Sequence, residues 1–204
     1  MDNYIIINNQ RIDLTDEQVE KIKDSFGIPV CCIKLADVTT GDTVKIGDHD
    51  MIVLEHTGDT TLLLHKDLLK DDQEFGENNN YNGSYVDAIC QEFAKEIATI
   101  VGESNLVLHD VDLTSDDGLK DYGTIQRHAS LLTTDQARRY VQILDKHKLD
   151  AWWWLATPWS TPAHGTTSLV KCVSPSGNFR NRFYNVGGGV RPFCILKSDF
   201  FVSK

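Results

Sequence analysis

The chain has 204 residues, 41% hydrophobic and 25% charged, enough for one large domain with a sizeable core plus a small N-terminal module. Acids outnumber bases 30 to 20, and the net charge of −10 disfavours nucleic acid or an anionic membrane as partner of the whole chain. No apolar run approaches the roughly eighteen residues of a spanning helix, and the N-terminus lacks the basic start and apolar stretch of a secretory signal, so cytoplasmic synthesis is expected.

In chain order, Tyr4–Ile7 reads as a short strand. Thr15-Asp16-Glu17-Gln18 has the capping-box pattern, followed by Val19, Ile22 and Phe26 on one helical face and a stop at Gly27 and Pro29. Residues 1–34 are therefore expected to form a strand–helix appendage, with residues 1–30 as a docking or dimerising element too short to fold alone. The expected main domain runs over residues 35–204. Thr43–Gly47, Met51–His56 and Thr60–Lys66 predict a meander of antiparallel strands, broken at Gly47-Asp48 and Gly58-Asp59. Phe75–Gly83 is an Asn-rich loop, and Ser84 caps a helix whose apolar positions from Val86 to Val101 keep a 3.6-residue period until Gly102.

Beyond that helix, Asn105–Leu113 predicts a strand, Asp116–Arg127 a polar loop and Ser130–Leu132 a short strand. Thr133 caps a helix over about 135–146. The remainder is strand and turn: Trp152–Thr157, a long polar loop, Leu169–Ser174, a turn at Pro175-Ser176-Gly177, Asn178–Tyr184, a Gly187-Gly188-Gly189 hinge, and Val190–Leu196. The expected class is α+β, two helices against a twisted antiparallel sheet.

Charge is unevenly placed. Residues 151–204 hold one acid, Asp199, against six bases, a net +5, and carry all four tryptophans; the first 150 residues carry −15. Five cysteines and seven histidines show no zinc spacing and predict reduced, mostly buried thiols and no metal or other cofactor. Asp110, Asp112, Asp116, Asp117 and Asp121 form an acidic stretch, read as a solvated loop rather than a calcium site because the EF-hand pattern is missing.

Two segments carry a family resemblance. Trp152-Trp153-Trp154-Leu155-Ala156-Thr157-Pro158 resembles a W-W-L-R-[ST]-P element, with Ala156 at the arginine position. Gly189-Val190-Arg191-Pro192-Phe193-Cys194-Ile195-Leu196 resembles the closing G-V-R-P-A-x-x-L element of the same family, and Ser176-Gly177 stands where that family has Asp-Gly. With Phe75–Tyr81, the helix after Ser84 and Ser130–Thr133, residues 35–198 resemble a tryptophan-rich domain of Gram-positive gut bacteria and their phages and prophages. The resemblance implies a C-type-lectin-like fold, shared with formylglycine-generating enzymes and with the variable proteins of diversity-generating retroelements. In those variable proteins the diversified positions lie just before the final strands.

Several candidate residues follow. Strand alternation sets Trp153 against Trp152 and Trp154, so at least one of these rings packs in the core. Together with Gly189, Arg191 and Pro192 they are read as structural, Arg191 through a salt bridge to an upstream acid. Trp159, on a polar loop, is the tryptophan expected to make contacts. In Asn178–Asn185, Phe179 points inward, with Phe183 as the second candidate for an inward position, whereas Arg180, Asn181, Arg182, Tyr184 and Asn185 are displayed. With His164, Thr166, Thr167 and Asn178 they form the candidate recognition face, an ordinary solvated hairpin being the equal alternative. The expected function is non-enzymatic recognition of a protein or glycan, in a virion or in the host cytoplasm. Two other readings stay open: an intracellular inhibitor or regulator of a host factor, for which the acidic body would mimic nucleic acid, and a formylglycine-type oxidase holding copper through Cys172 and Cys194 on neighbouring strands.

Overall fold

The computed structural model describes residues 4–7, 10–15, 17–18, 21 and 32–203. The chain is α+β. The N-terminal segment is a hairpin of β1 (Tyr4–Ile7) and β2 (Gln10–Asp13) instead of a single strand. The capping box after it is reciprocal: Gln18 N–H donates to Thr15 Oγ1 and Thr15 N–H to Gln18 Oε1. The helix face expected from Val19, Ile22 and Phe26, and its stop at Gly27 and Pro29, lie outside the described residues.

The meander forms as expected, with β4 (Thr43–Ile46), β5 (His49–Thr57) and β6 (Thr60–His65) in sequence. It lies within a seven-stranded sheet completed by β3 (Cys32–Lys34), β10 (Ala129–Leu131), β15 (Pro192–Lys197) and β16 (Phe201–Ser203). The order is β10-β15-β6-β5-β4-β16-β3. A second sheet of five strands contains β7 (Lys70–Gln73), β11 (Trp153–Pro158), β12 (Leu169–Val173), β13 (Phe179–Phe183) and β14 (Gly188–Val190), in the order β13-β12-β11-β14-β7. A further hairpin pairs β8 (His109–Asp112) with β9 (Thr124–Arg127), the latter within the stretch expected as loop.

The helices differ from expectation in one place. α1 (Tyr85–Val101) starts and stops as its sequence predicts: Ser84 accepts the Asp87 N–H, and Gly102 leaves at φ 84°, a conformation that favours glycine. The next helix is split into α2 (Thr134–Arg139) and α3 (Val141–Lys146) around Tyr140, whose ring is buried and whose hydroxyl donates to Glu55 on β5. That tether fixes Tyr140 at φ −99°, ψ 14°, off the helical path. Among the described residues of the main domain, the expectation of two helices on one sheet thus becomes one long and two short helices on two sheets. The reason is that β5 and β6 are apolar on both faces and can cover a layer on each side.

Three apolar clusters result. On one face of the seven-stranded sheet, Met51, Val53, Leu63 and Leu196 pack against Phe93, Ile97 and Val101 of α1. On the other, Ile52, Leu54, Leu64 and Phe193 meet Trp153, Leu155 and Val173 of the five-stranded sheet, with Ala137, Tyr140 and Leu144 closing the side. Behind the five-stranded sheet, Trp154, Ala156, Val170 and Cys172 pack with Val86, Cys90, Phe75 and Tyr81. Adjacent tryptophans on β11 therefore face different clusters, as the period of two requires.

The three glycines after Val186 are not a hinge. Gly188 and Gly189 belong to β14, which runs parallel to β11, pairing Gly189 with Trp153. A Cβ on Gly188 would lie 2.7 Å from the Trp154 indole, and one on Gly189 would lie 2.4 Å from Leu68. These positions are glycine because another side chain occupies the space.

Candidate functional site

β11 leaves the core at Pro158 and the chain turns outward through residues 159–168 before returning as β12. Three residues from elsewhere in the chain, Asn79, Asp117 and Asp121, fasten this loop. Asn79, fully buried, donates through Nδ2 to the carbonyls of Ser160 at 2.8 Å and Leu169 at 3.1 Å, and its Oδ1 accepts the Tyr122 hydroxyl at 2.7 Å. Its backbone N–H reaches the Thr167 carbonyl at 3.0 Å. Asp117 accepts Ser115 Oγ at 2.5 Å, Ser160 Oγ at 2.6 Å and His164 Nδ1 at 2.9 Å. These hydrogen bonds, led by that of Ser115, hold its carboxyl well below the usual carboxylate range. Asp121 accepts the hydroxyl of buried Thr161. Nearby, Asp116 pairs with Lys171 at 3.0 Å.

The acidic stretch is therefore only in part a solvated loop. Asp116, Asp117 and Asp121 are committed to Lys171 and to the 159–168 loop. Among the described residues, no three His, Cys, Asp or Glu side chains are placed to hold a metal ion.

On this base the strand register builds a surface row. The Trp159 N–H donates to the Leu169 carbonyl, and Leu169 lies opposite Phe183 on β13. Directly opposed residues of an antiparallel pair share a face, so Leu169 and Phe183 lie side by side on β12 and β13, and Trp159, one residue past the end of β11, continues the line through its backbone bond to Leu169. Trp159 is 38% exposed and Phe183 56%. The inward orientation expected of Phe183 is overturned. Phe179 faces inward, packed against the cluster of Trp153, and Phe183 shares its face but lies beyond the end of that cluster, where nothing covers it.

The opposite face of β13 carries Arg180 and Arg182, register partners of Cys172 and Val170. Arg182 lies over the Trp152 ring, 4.9 Å from its centroid, and donates to the Gly187 carbonyl at 2.8 Å. Arg180 is exposed and has no ion pair among the described residues. Tyr184 is half-buried against the Trp154 cluster, and its carbonyl accepts the Phe75 N–H.

The remaining expected site residues separate. Asn181 and Asn185 are exposed. His164 is exposed but tethered to Asp117; Thr166 is half-buried, its hydroxyl 3.3 Å from that of Ser168, and Thr167 is engaged through its carbonyl. Asn178 belongs to the turn at the far end of β13: its N–H donates to Ser174 Oγ, its carbonyl accepts the Ser174 N–H and its Nδ2 donates to Ser176 Oγ. Asn178 is thus a turn residue, out of reach of Trp159.

One expectation about charge is corrected, and the alternative of a copper pair loses its geometry. Arg191 makes no salt bridge among the described residues. Its guanidinium donates to the carbonyls of His65 at 2.9 Å, Lys66 at 2.7 Å and His147 at 3.3 Å and lies over the Trp153 ring. Burial lowers it to about 10, where it still carries a proton at neutral pH. Cys172 and Cys194 do not form a copper pair. β12 and β15 belong to different sheets, their thiols lie in different clusters, and burial pushes each up to about 12, away from the thiolate a metal requires. The +5 of the last quarter also contracts. With Lys171 paired and Arg191 buried, the cationic groups on β13 are Arg180 and Arg182.

Residues 106–198 match the model of a family described as a domain of unknown function (DUF6273). No curated protein and no solved structure matches the chain. The matched segment runs from just after α1 through β15 and contains the whole exposed row, but not Asn79, which fastens it from below.

Proposed function

We propose that this protein is a non-enzymatic recognition protein with a C-type-lectin-like fold, displaying a fixed surface around the Trp159–Leu169–Phe183 row to a protein or glycan partner. The observation that carries this reading is the pairing of an exposed aromatic row with a rigid foundation. Large aromatic side chains are kept in water at a cost, and recognition surfaces use them because they bury much area with little side-chain freedom to lose. The loop that bears Trp159 is held by a buried amide and two carboxylates, so it is ordered before any ligand arrives, which reduces the entropy lost on binding. Asn181 and Asn185, both exposed, add adaptable hydrogen bonding at the border.

The W-W-L and G-V-R-P elements are what support reading the chain as similar to a tryptophan-rich domain of gut bacteria and their phages. On this reading the hairpin and capped segment at the N-terminus attach the protein to a larger assembly or to a second copy. The test is a peptide and glycan array probed with the wild-type chain and with Trp159→Ala/Phe183→Ala. Removing two central aromatic anchors is expected to weaken any specific signal by roughly tenfold or more, with the thermal transition unchanged. A specific signal that survives the double substitution overturns the proposal.

A further inference from the structure

Within the five-stranded sheet β13 is an outer strand, hydrogen-bonded only to β12. Every second residue of such a strand turns its N–H and C=O away from the sheet, where another strand can pair with them. Residues 180, 181 and 183 are exposed; by the register the outward-facing groups belong to residues 179, 181 and 183, and of these the Phe183 carbonyl already accepts the Val186 N–H, which leaves Asn181 and the Phe183 N–H at the centre of the edge. Its side chains then define what can dock. On one face stand Arg180 and Arg182, two residues apart; on the other is Phe183, continuous with Leu169 and Trp159.

A second copy of this chain is a poor occupant. Every two-fold antiparallel pairing of β13 with itself that keeps the arginine faces on one side of the extended sheet and pairs more than one residue of the strand sets an arginine opposite an arginine. Like charges directly opposed destabilise a ladder, and charged edges are a known defence against self-pairing. The same pattern favours an acidic strand. Arg180 has no ion pair among the described residues, and Arg182 uses one donor on Gly187, leaving most of its five N–H groups.

We infer that the open edge of β13 captures an extended acidic segment of a protein partner, which adds a sixth, antiparallel strand. Its sequence would read, from N- to C-terminus, apolar, acidic, any residue, acidic. The apolar side chain lies opposite Phe183 and joins the aromatic row, and the two acids lie opposite Arg182 and Arg180. This inference rests on the recognition role proposed above and supplies the chemistry of the partner: the backbone gives affinity, and the charge pattern gives selection.

The test uses the full chain and a fluorescent peptide containing isoleucine–glutamate–threonine–glutamate, measured by anisotropy. The glutamate peptide is expected to bind, and to weaken ~tenfold between ~50 and ~300 mM salt because its ion pairs lie at the surface. Lysine in place of both glutamates is expected to abolish binding. Arg180→Glu should weaken the glutamate peptide ~tenfold, and replacing the peptide acid opposite residue 180 with lysine should restore affinity to that variant, which also shows that it folds. N-methylation of the peptide amides that face β13 should abolish binding with all charges kept. Equal binding of glutamate and lysine peptides, binding indifferent to N-methylation, or no binding of any peptide overturns the inference. In the last case, an array signal that still depends on Trp159 and Phe183 leaves the recognition role standing and removes only the strand-capture step.

Discussion

Replacing Asn79 with alanine separates the foundation of the proposed surface from the surface itself. The substitution removes a side chain that makes three hydrogen bonds with no part exposed. Its consequences differ by partner. The Leu169 carbonyl keeps the Trp159 N–H, so it loses one of two donors. The half-buried Tyr122 hydroxyl can turn to water. The Ser160 carbonyl loses its Asn79 donor inside the protein, costing about 1–3 kcal/mol on its own. With about 1 kcal/mol for each of the other two bonds, the expected loss is about 3–5 kcal/mol. The Asn79 backbone bond to Thr167 is untouched, so the loop should loosen around Trp159 without detaching. Urea denaturation should show a lower midpoint at unchanged m-value, and amide exchange should accelerate at Trp159 more than in β5 or β6. A loss under about 1 kcal/mol, or acceleration spread evenly over the chain, would refute the idea that this amide organises the loop.

Other expectations concern the core. His109 stacks on Phe193 with ring centroids 4.6 Å apart and bonds Ser130 through Nε2; burial lowers it from 6.5 to about 4. Its neutral form is the one the fold prefers, so stability is lost as pH falls from 6.5 toward 4, where the unfolded chain takes up the proton first. The loss amounts to about 3 kcal/mol at most, and His109→Gln should flatten that part of the stability–pH curve measured by denaturation; an unchanged slope would show that another group is responsible. Gly188→Ala places a methyl 2.7 Å from the Trp154 ring. It should cost about 1–3 kcal/mol and shift the near-ultraviolet circular dichroism of that tryptophan, with a silent spectrum counting against the packing account.

Local chemistry made much of this legible from sequence. Thr15, Ser84 and Thr133 each act as the predicted cap, because a cap is settled within four residues. The alternation of Trp153 and Trp154 was equally readable, since the two-residue period needs no knowledge of what lies on either side. What escaped depends on distant contacts. Only the position of Leu68 and Trp154 explains the glycines of β14, and only Glu55 explains the break at Tyr140. Arg191 was expected to find a carboxylate and instead found the carbonyls of three residues from two distant stretches, which no residue pattern announces. Phe183 misled because an apolar residue in register with an inward neighbour reads as core, yet the cluster stops before reaching it. Asn79, one of three consecutive asparagines, differs from its neighbours only in being buried.

The back-to-back arrangement of Trp153 and Trp154 bears on how the chain can be divided. Because β11 is a wall common to two apolar clusters, each cluster draws on residues far upstream. Trp153 needs Ile52, Leu54 and Leu64, and Trp154 needs Phe75, Tyr81, Val86 and Cys90. The segment matched by the family model begins at residue 106, after all of them. A fragment cut there would carry both tryptophans with one side of each stripped bare, so the stretch that is recognisable as a sequence family is not a unit able to fold by itself.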